Sequence, residues 1–122
     1  MNKKIKISFA LPAGLQKDLK ERMIKDGYDL KGKSKWVAEA VQNLLSTREY
    51  VDLVKIGDEI HNLGKLESVL IDRDLKAEVN KAAITIRIQY PDIEGVQSNI
   101  FRTAIIQRLL SGSFPPTGNE AN

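Results

Sequence analysis

The 122-residue chain contains no cysteine, a single histidine, and no apolar stretch long enough to cross a bilayer. Without cysteine, disulfide bonds, thiolate metal sites and cysteine nucleophiles are excluded, and a reducing cytoplasm is the simplest setting. A membrane-spanning helix needs roughly 20 consecutive apolar residues, so we expect no membrane partner. The N-terminus alternates apolar and polar residues instead of forming an apolar block, which argues against a secretory signal.

Motifs that carry enzyme chemistry are also missing. His61 has no second metal ligand at a matching spacing, and the acidic run Asp72-Arg73-Asp74 is explained by helix capping. No glycine-rich phosphate loop follows a strand, and no serine accompanies a paired base. We therefore predict a protein that is not an enzyme and that needs neither a metal nor a cofactor.

Positive charge is concentrated in the first part of the sequence. Residues 1–46 contain ten Lys/Arg against five Asp/Glu, a net charge of +5. Residues 47–122 contain nine against eleven, a net charge of −2. An excess of this kind is the electrostatic pattern of a polyanion binder, so the first part of the chain is the better candidate for contacting nucleic acid.

The first 46 residues predict a strand followed by two helices. Residues 4–11 alternate with period two, which indicates a strand with one buried face; its apolar positions are Ile5, Ile7, Phe9 and Leu11. Pro12 ends the strand and suits the first turn of a helix over about 13–26, which Gly27 terminates. Ser34 is the predicted N-cap of a second helix over about 35–46.

The same plan recurs later in the chain. A strand is predicted at about 66–71, with Asp72 or Asp74 as the cap of a helix over about 74–88 and Ser98 as the cap of the last helix. At a separation of 60, Leu11 matches Ile71 and Leu15 matches Leu75; at 64, Ser34 matches Ser98, Ala40 matches Ala104, Val41 matches Ile105 and Leu45 matches Leu109. Two amphipathic segments can match by chance, but the shared order of strand, helix, serine and helix favours two diverged copies of one strand–helix–helix unit.

These copies define the domain organisation. We predict a first unit at 1–46, a connecting segment at 47–64, a second unit at 65–111 and a disordered tail at 112–122. Helical spacing interrupted by Gly57 indicates that the connecting segment is helical, either as a continuation of the preceding helix or as a separate one. A unit this small cannot bury its own apolar face, so each copy needs a partner, which the same chain can supply.

Several of these residues carry a resemblance to a known family. Ile7–Leu19 (I-S-F-A-L-P-A-G-L-Q-K-D-L), followed by a turn and Ser34–Ala40 (S-K-W-V-A-E-A), resembles a ribbon-helix-helix DNA-binding domain of the Arc and MetJ type. Ser98–Leu110, preceded by Tyr90-Pro91, is similar to the second helix of that family. Two such units in one chain resemble the TraY-type relaxosome accessory proteins of conjugative plasmids. Together the two units, 93 of the 122 residues, cover about three-quarters of the chain.

The resemblance implies a fold and a set of contacts. The fold would be mostly α with a short antiparallel β-ribbon, in which the tandem units form an intrachain pseudo-dimer. The ribbon would enter the major groove of double-stranded DNA and present these residues to the bases: Lys4, Lys6, Ser8 and Ala10 from the first strand, and Leu66, Ser68 and Leu70 from the second. The starts of the second helices would hold phosphates through Lys33, Ser34, Lys35, Gln97, Ser98 and Asn99.

The second strand departs from the expected chemistry. A separation of 60 turns Leu66 and Leu70 toward the groove and places Glu67 on the core side. Leucine cannot hydrogen-bond to a base edge, and a carboxylate is unusual in a core. Either a bulge or a one-residue slip changes the register, or this half of the ribbon contributes little direct readout.

The predicted function is sequence-specific binding of double-stranded DNA as a transcriptional regulator, specifically a repressor. Alternatives are a relaxosome accessory protein that marks a plasmid transfer origin, and an antitoxin-like protein-interaction module. Partners beyond DNA would be a second copy of the chain on an adjacent site, and a relaxase or another protein. Unequal ribbon halves imply an asymmetric operator, since palindromic sites mirror equal subunits.

Overall fold

The computed structural model describes residues 3–60 and 63–111, which form mainly helices and one two-stranded antiparallel sheet. In chain order the elements are β1 (Lys4–Pro12), α1 (Ala13–Lys25), a 3-10 turn (Leu30–Gly32), α2 (Lys33–Leu45), α3 (Tyr50–Gly57), β2 (Leu63–Asp72), α4 (Arg73–Gln89) and α5 (Val96–Leu110). Within the described residues the strands β1 and β2 pair with each other and with no further strand, and we call this pair the ribbon. The expected class, mostly α with a short antiparallel β-ribbon, is confirmed.

The ribbon has one apolar face against the helices, as the period-two pattern predicted. Its inner residues Ile7, Phe9, Leu11, Val69 and Ile71 are all at most 3% exposed. Pairing is continuous from Lys4–Asp72 to Leu11–Lys65, and the register shifts only at the end, between Leu11 and Pro12. The proposed bulge or slip inside β2 is therefore absent from the paired part of the ribbon.

The start of α2 differs from the prediction. The helix begins at Lys33, directly after the 3-10 turn, with Gly32 in the N-cap position. Ser34 is therefore inside the first turn and is not the N-cap. Its hydroxyl instead accepts a hydrogen bond from the backbone N–H of Leu70, at 2.9 Å. The serine thus ties the start of α2 to β2 of the ribbon.

The caps of α4 and α5 follow different rules. Asp72 caps α4 as predicted, and its carboxylate accepts a hydrogen bond from the Leu75 N–H at 2.8 Å. The prediction for α5 was wrong, because Gly95 occupies the N-cap in a left-handed conformation with φ of 61°. Glycine adopts that conformation without the steric cost that a side chain would add. Ser98 consequently lies within the first turn of α5.

The helical part of the connecting segment is shorter than expected. Its helix is the separate α3, which ends at Gly57, and β2 already begins at Leu63 instead of about 66. Gly64 is part of the strand. His61 and the tail at 112–122 lie outside the described residues, so the predictions for them stay predictions.

The core lies between the inner face of the ribbon and the helices. The rings of Phe9 in β1 and Phe101 in α5 stack at 5.4 Å between centroids. Trp36 of α2 is fully buried, and its indole Nε1 donates to Asp26 at 2.8 Å. Helices α2 and α5 pack against each other, so residues from both predicted units contribute to one continuous core.

Arg108 fastens the end of α5 to the first predicted unit. Its guanidinium lies 4.4 Å from the centroid of the Trp36 ring and donates to the Trp36 carbonyl at 2.8 Å and to Glu39 at 3.4 Å. It also lies 3.9 Å from the Asp26 carboxylate. A cation over an aromatic face with several acceptors fixes orientation as well as distance. These contacts join the end of α5 to α2 and to the residue that follows α1.

Candidate nucleic-acid interface

The outer face of the ribbon, which is turned away from the helices, is formed by every second residue of the two strands. It consists of Lys4, Lys6, Ser8 and Ala10 from β1 and Leu66, Ser68, Leu70 and Asp72 from β2. All seven positions predicted to meet bases therefore share one face. Lys4, Lys6 and Ser8 are exposed, and Ser68 and Ala10 are half-buried. The face carries basic side chains from β1, Lys4 and Lys6, next to apolar side chains from β2, Leu66 and Leu70.

The centre of this face is a pair of serines. Ser8 lies directly opposite Ser68, and the two hydroxyl oxygens are 3.1 Å apart. A hydroxyl can both donate and accept, so each serine keeps capacity for a further partner while holding the other. On one side of the serines lies the pair Ala10–Leu66, and on the other lies Lys6–Leu70.

The two outer leucines belong to β2. Leu66 is 76% exposed and Leu70 is 49% exposed, although both belong to a strand whose Val69 and Ile71 are buried. Their exposure follows from the unbroken register, which places them across from Ala10 and Lys6. Of the two explanations for the unusual β2 sequence, the changed register is therefore excluded for these residues.

Glu67 lies on the inner side of the ribbon, opposite Phe9, as the spacing predicted. Its carboxylate accepts a hydrogen bond from the Lys33 ammonium at 2.7 Å and another from the Gln16 amide. The side chain of Glu67 is 12% exposed and that of Lys33 is 35% exposed. A buried carboxylate needs such partners to offset its desolvation. Glu67 therefore links β2 to the first turns of α1 and α2, and these contacts account for a carboxylate on the inner side of the ribbon.

The predicted phosphate contacts at the start of α2 differ in availability. Lys35 is exposed, whereas Lys33 is held by Glu67 and Ser34 by the Leu70 backbone. The first N–H groups of a helix lack acceptors within that helix and mark its positive end. The arrangement leaves the Lys35 ammonium and the helix terminus as the groups that can meet an anion beside the ribbon.

The matching region of α5 is less suited to an anion. Asn99 is fully buried, where its amide donates to Asp58 at 3.3 Å and its oxygen accepts from Thr103. The Asn99 side chain therefore cannot reach a phosphate, and that prediction was wrong for this group. The Gln97 side chain accepts a hydrogen bond from Lys76, which places one ammonium next to the helix start. Ser98 is half-buried.

Arg102 lies beneath the outer face of the ribbon, and the sequence did not identify it. It is 6% exposed, and its Nη1 donates to the Ala10 carbonyl at 3.0 Å. Its Nε has no hydrogen-bond partner among the residues that the structure describes. Burial lowers the pKa of the Arg102 guanidinium, and the Asp58 carboxylate opposes that shift. Arg102 thus supports the end of β1 from beneath, and only its long-range contact with Ala10 reveals that role.

Residues 3–60 and 63–111 contain no group of three or more His, Asp or Glu side chains arranged to hold a metal ion. None of the five described helices is both long and apolar enough to cross a membrane.

Comparisons with other proteins found no relatives. No family model matches the chain, and neither a search of curated proteins nor a search of solved structures found a match.

Proposed function

We propose that this chain is a tandem ribbon-helix-helix protein that binds double-stranded DNA in a sequence-specific manner and acts as a transcriptional repressor. The observation that carries the proposal is the outer face of the ribbon. It projects two lysines and two serines away from the helices on a rigid two-stranded element. Lysine can donate to guanine O6 and N7, and serine can donate or accept at several base edges.

The dimensions of the ribbon agree with this role. Paired strands lie about 4.8 Å apart, and the major groove, about 12 Å wide, admits a two-stranded ribbon with its side chains. The helices lie on the other side of the ribbon and do not cover its outer face. Lys35 at the start of α2 would contact a phosphate and fix the register on the duplex, beside the base contacts proposed for Lys4 and Lys6.

The internal symmetry of the ribbon supports the pseudo-dimer. Residues of the two copies correspond at a separation of 60, and strand pairing sets Ser8 directly across from Ser68. Ser8 therefore pairs with its own counterpart, as the central residues of a two-fold symmetric dimer do. In the second helices the counterparts Trp36 and Ile100, and Val37 and Phe101, are buried in both copies.

Charge gives the proposed DNA contacts their driving force. The first unit carries a net charge of +5, and its lysines at the ribbon are exposed, apart from the partly covered Lys33. Releasing counterions from DNA accounts for most non-specific affinity. The first copy would thus supply most of the attraction, while the second completes the core and the ribbon.

A salt titration tests the proposal. Fluorescence anisotropy of a labelled random duplex should report binding at low salt, with affinity falling along a log–log slope of about −0.9 for each phosphate contacted. No measurable duplex binding at low salt would contradict the proposal and favour a protein-interaction module. Footprints on DNA upstream of the chain's own gene support repression, whereas footprints confined to a plasmid transfer origin favour the relaxosome role.

A further inference from the structure

The outer face of the ribbon combines charged and apolar groups in an unusual way for a protein surface. Leu66 is among the most exposed large apolar residues of the described chain, at 76%. It lies across from Ala10, so a leucine and a methyl group form an apolar patch at one end of the face. Lys6 and Leu70 form the other end. We call these the apolar end and the basic end of the ribbon.

Such a patch has a natural counterpart in the proposed binding partner. The edges of base pairs in the major groove present hydrogen-bond donors, acceptors and one apolar group, the C5-methyl of thymine. Exposed leucine gains from contact with a methyl and gains little from a polar edge. The same duplex that offers guanine acceptors to Lys6 can therefore offer methyl groups to Leu66.

We infer that β2 reads thymine methyl groups, so that the operator is asymmetric, with a thymine facing the apolar end and a guanine facing the basic end. This inference rests on the proposed function, which it deepens by naming the bases. It also assigns a readout role to a strand whose sequence lacks polar readers. Leu70 lies beside Lys6 and would contact a methyl next to the guanine that the lysine recognises.

Strand geometry sets the spacing between the two bases. The apolar and basic ends are four residues apart along each strand, which corresponds to about 13 Å at roughly 3.3 Å per residue. The rise of B-DNA is about 3.4 Å per base pair. Because the groove winds around the helix axis, this length spans fewer base pairs along the groove than along the axis, so the thymine and the guanine should be no more than about four base pairs apart.

Deoxyuridine substitution provides the test, because uracil lacks only the methyl group. The full chain is first used to enrich duplexes from a random library, and each thymine of the enriched duplex is then replaced singly by deoxyuridine. At the thymine that contacts Leu66, the affinity of the wild-type chain should fall about three- to fivefold, as expected for losing one buried methyl. The Leu66→Ala variant should bind the thymine and uracil duplexes equally.

Leu110→Ala is the matched control. Leu110 is 75% exposed at the end of α5. It lies beside Lys25, the last residue of α1, and the first residue of that helix directly follows β1 of the ribbon. This variant should keep the full loss on deoxyuridine substitution. Because both leucines are exposed, neither truncation should impair folding, which circular dichroism checks.

The outcomes separate the two levels of the argument. If specific duplexes are enriched but no deoxyuridine substitution weakens binding, the methyl readout is wrong while the proposed DNA binding stands. The same conclusion follows if Leu66→Ala and Leu70→Ala both lose as much affinity as the wild-type chain when each sensitive thymine is replaced by deoxyuridine. If no duplex is bound, the proposed function itself fails.

Discussion

Replacing Gly57 by alanine should destabilise the protein, because the end of α3 lies directly against α5. A Cβ atom at this position would be 2.4 Å from Thr103 Oγ1 and 3.2 Å from Asn99 Oδ1. Both neighbours are buried, and the Thr103 hydroxyl donates to the Asn99 oxygen at 3.2 Å. The new methyl must therefore displace a hydrogen-bonded pair in the core.

Two opposing effects set the magnitude. Overpacking a core by a methyl group costs about 1–3 kcal/mol, whereas replacing glycine by alanine in a helix gains roughly 0.5–1 kcal/mol. With both effects at the middle of their ranges, the net expectation for Gly57→Ala is a loss of about 1 kcal/mol in the free energy of unfolding, and at most about 2.5 kcal/mol. Gly14→Ala in α1 is the matched control, since a Cβ there meets nothing within 4 Å, and it should stabilise the chain slightly.

Urea unfolding followed by the fluorescence of Trp36, the only tryptophan and a fully buried one, measures both variants. The double variant Gly57→Ala/Thr103→Ala should lose less stability than the sum of the single changes, because removing the hydroxyl relieves the clash. Equal stability of Gly57→Ala and the wild-type chain would refute the packing of α3 on α5 described above.

Two further predictions concern the cap of α4 and the pH dependence of stability. Asp72→Ala should cost about 1 kcal/mol in urea unfolding through loss of the cap to Leu75, whereas Asp74→Ala in the exposed first turn should cost only a few tenths; equal losses would contradict the assigned cap. Burial and a hydrogen bond to Glu39 raise the pKa of Tyr28 above 10.0, so the contribution of its neutral phenol is present below pH 10 and is lost as the pH rises through the folded-state pKa. The free energy of unfolding, measured from pH 8 to 11, should decline less steeply for Tyr28→Phe than for the wild-type chain. Identical profiles would show that the phenol does not contribute to stability.

The alternation of β1 was sufficient to predict which residues face the core and which face outward. Side chains alternate strictly along a strand, so Lys6 and Ser8 could be placed together without knowledge of the partner strand. The repeat then placed Leu66 and Leu70 on the same face. These features follow from local periodicity, which a sequence displays directly.

The features that the sequence did not reveal depend on contacts between residues far apart in the sequence, or on the conformation of the residues just before a helix. Ser34 and Ser98 resemble N-caps, but the helices begin earlier, at Lys33 and Val96. Glu67 is explained by its ion pair with Lys33, which is 34 residues away. Arg102 reaches the Ala10 carbonyl across 92 residues. No local pattern identifies these pairs, because the fold alone brings them together.

The most direct test of the account compares two lysine variants on one enriched duplex. Lys6 lies on the outer face of the ribbon. The exposed Lys81 of α4 lies beside Leu45, the last residue of α2, whereas the ribbon contacts the first turn of that helix. Each variant to alanine removes one positive charge. Fluorescence anisotropy at fixed salt should show at least about a fivefold loss of affinity for Lys6→Ala, as expected for a base contact, and nearly wild-type affinity for Lys81→Ala. Equal affinities of the two variants would contradict the claim that the outer face of the ribbon reads DNA.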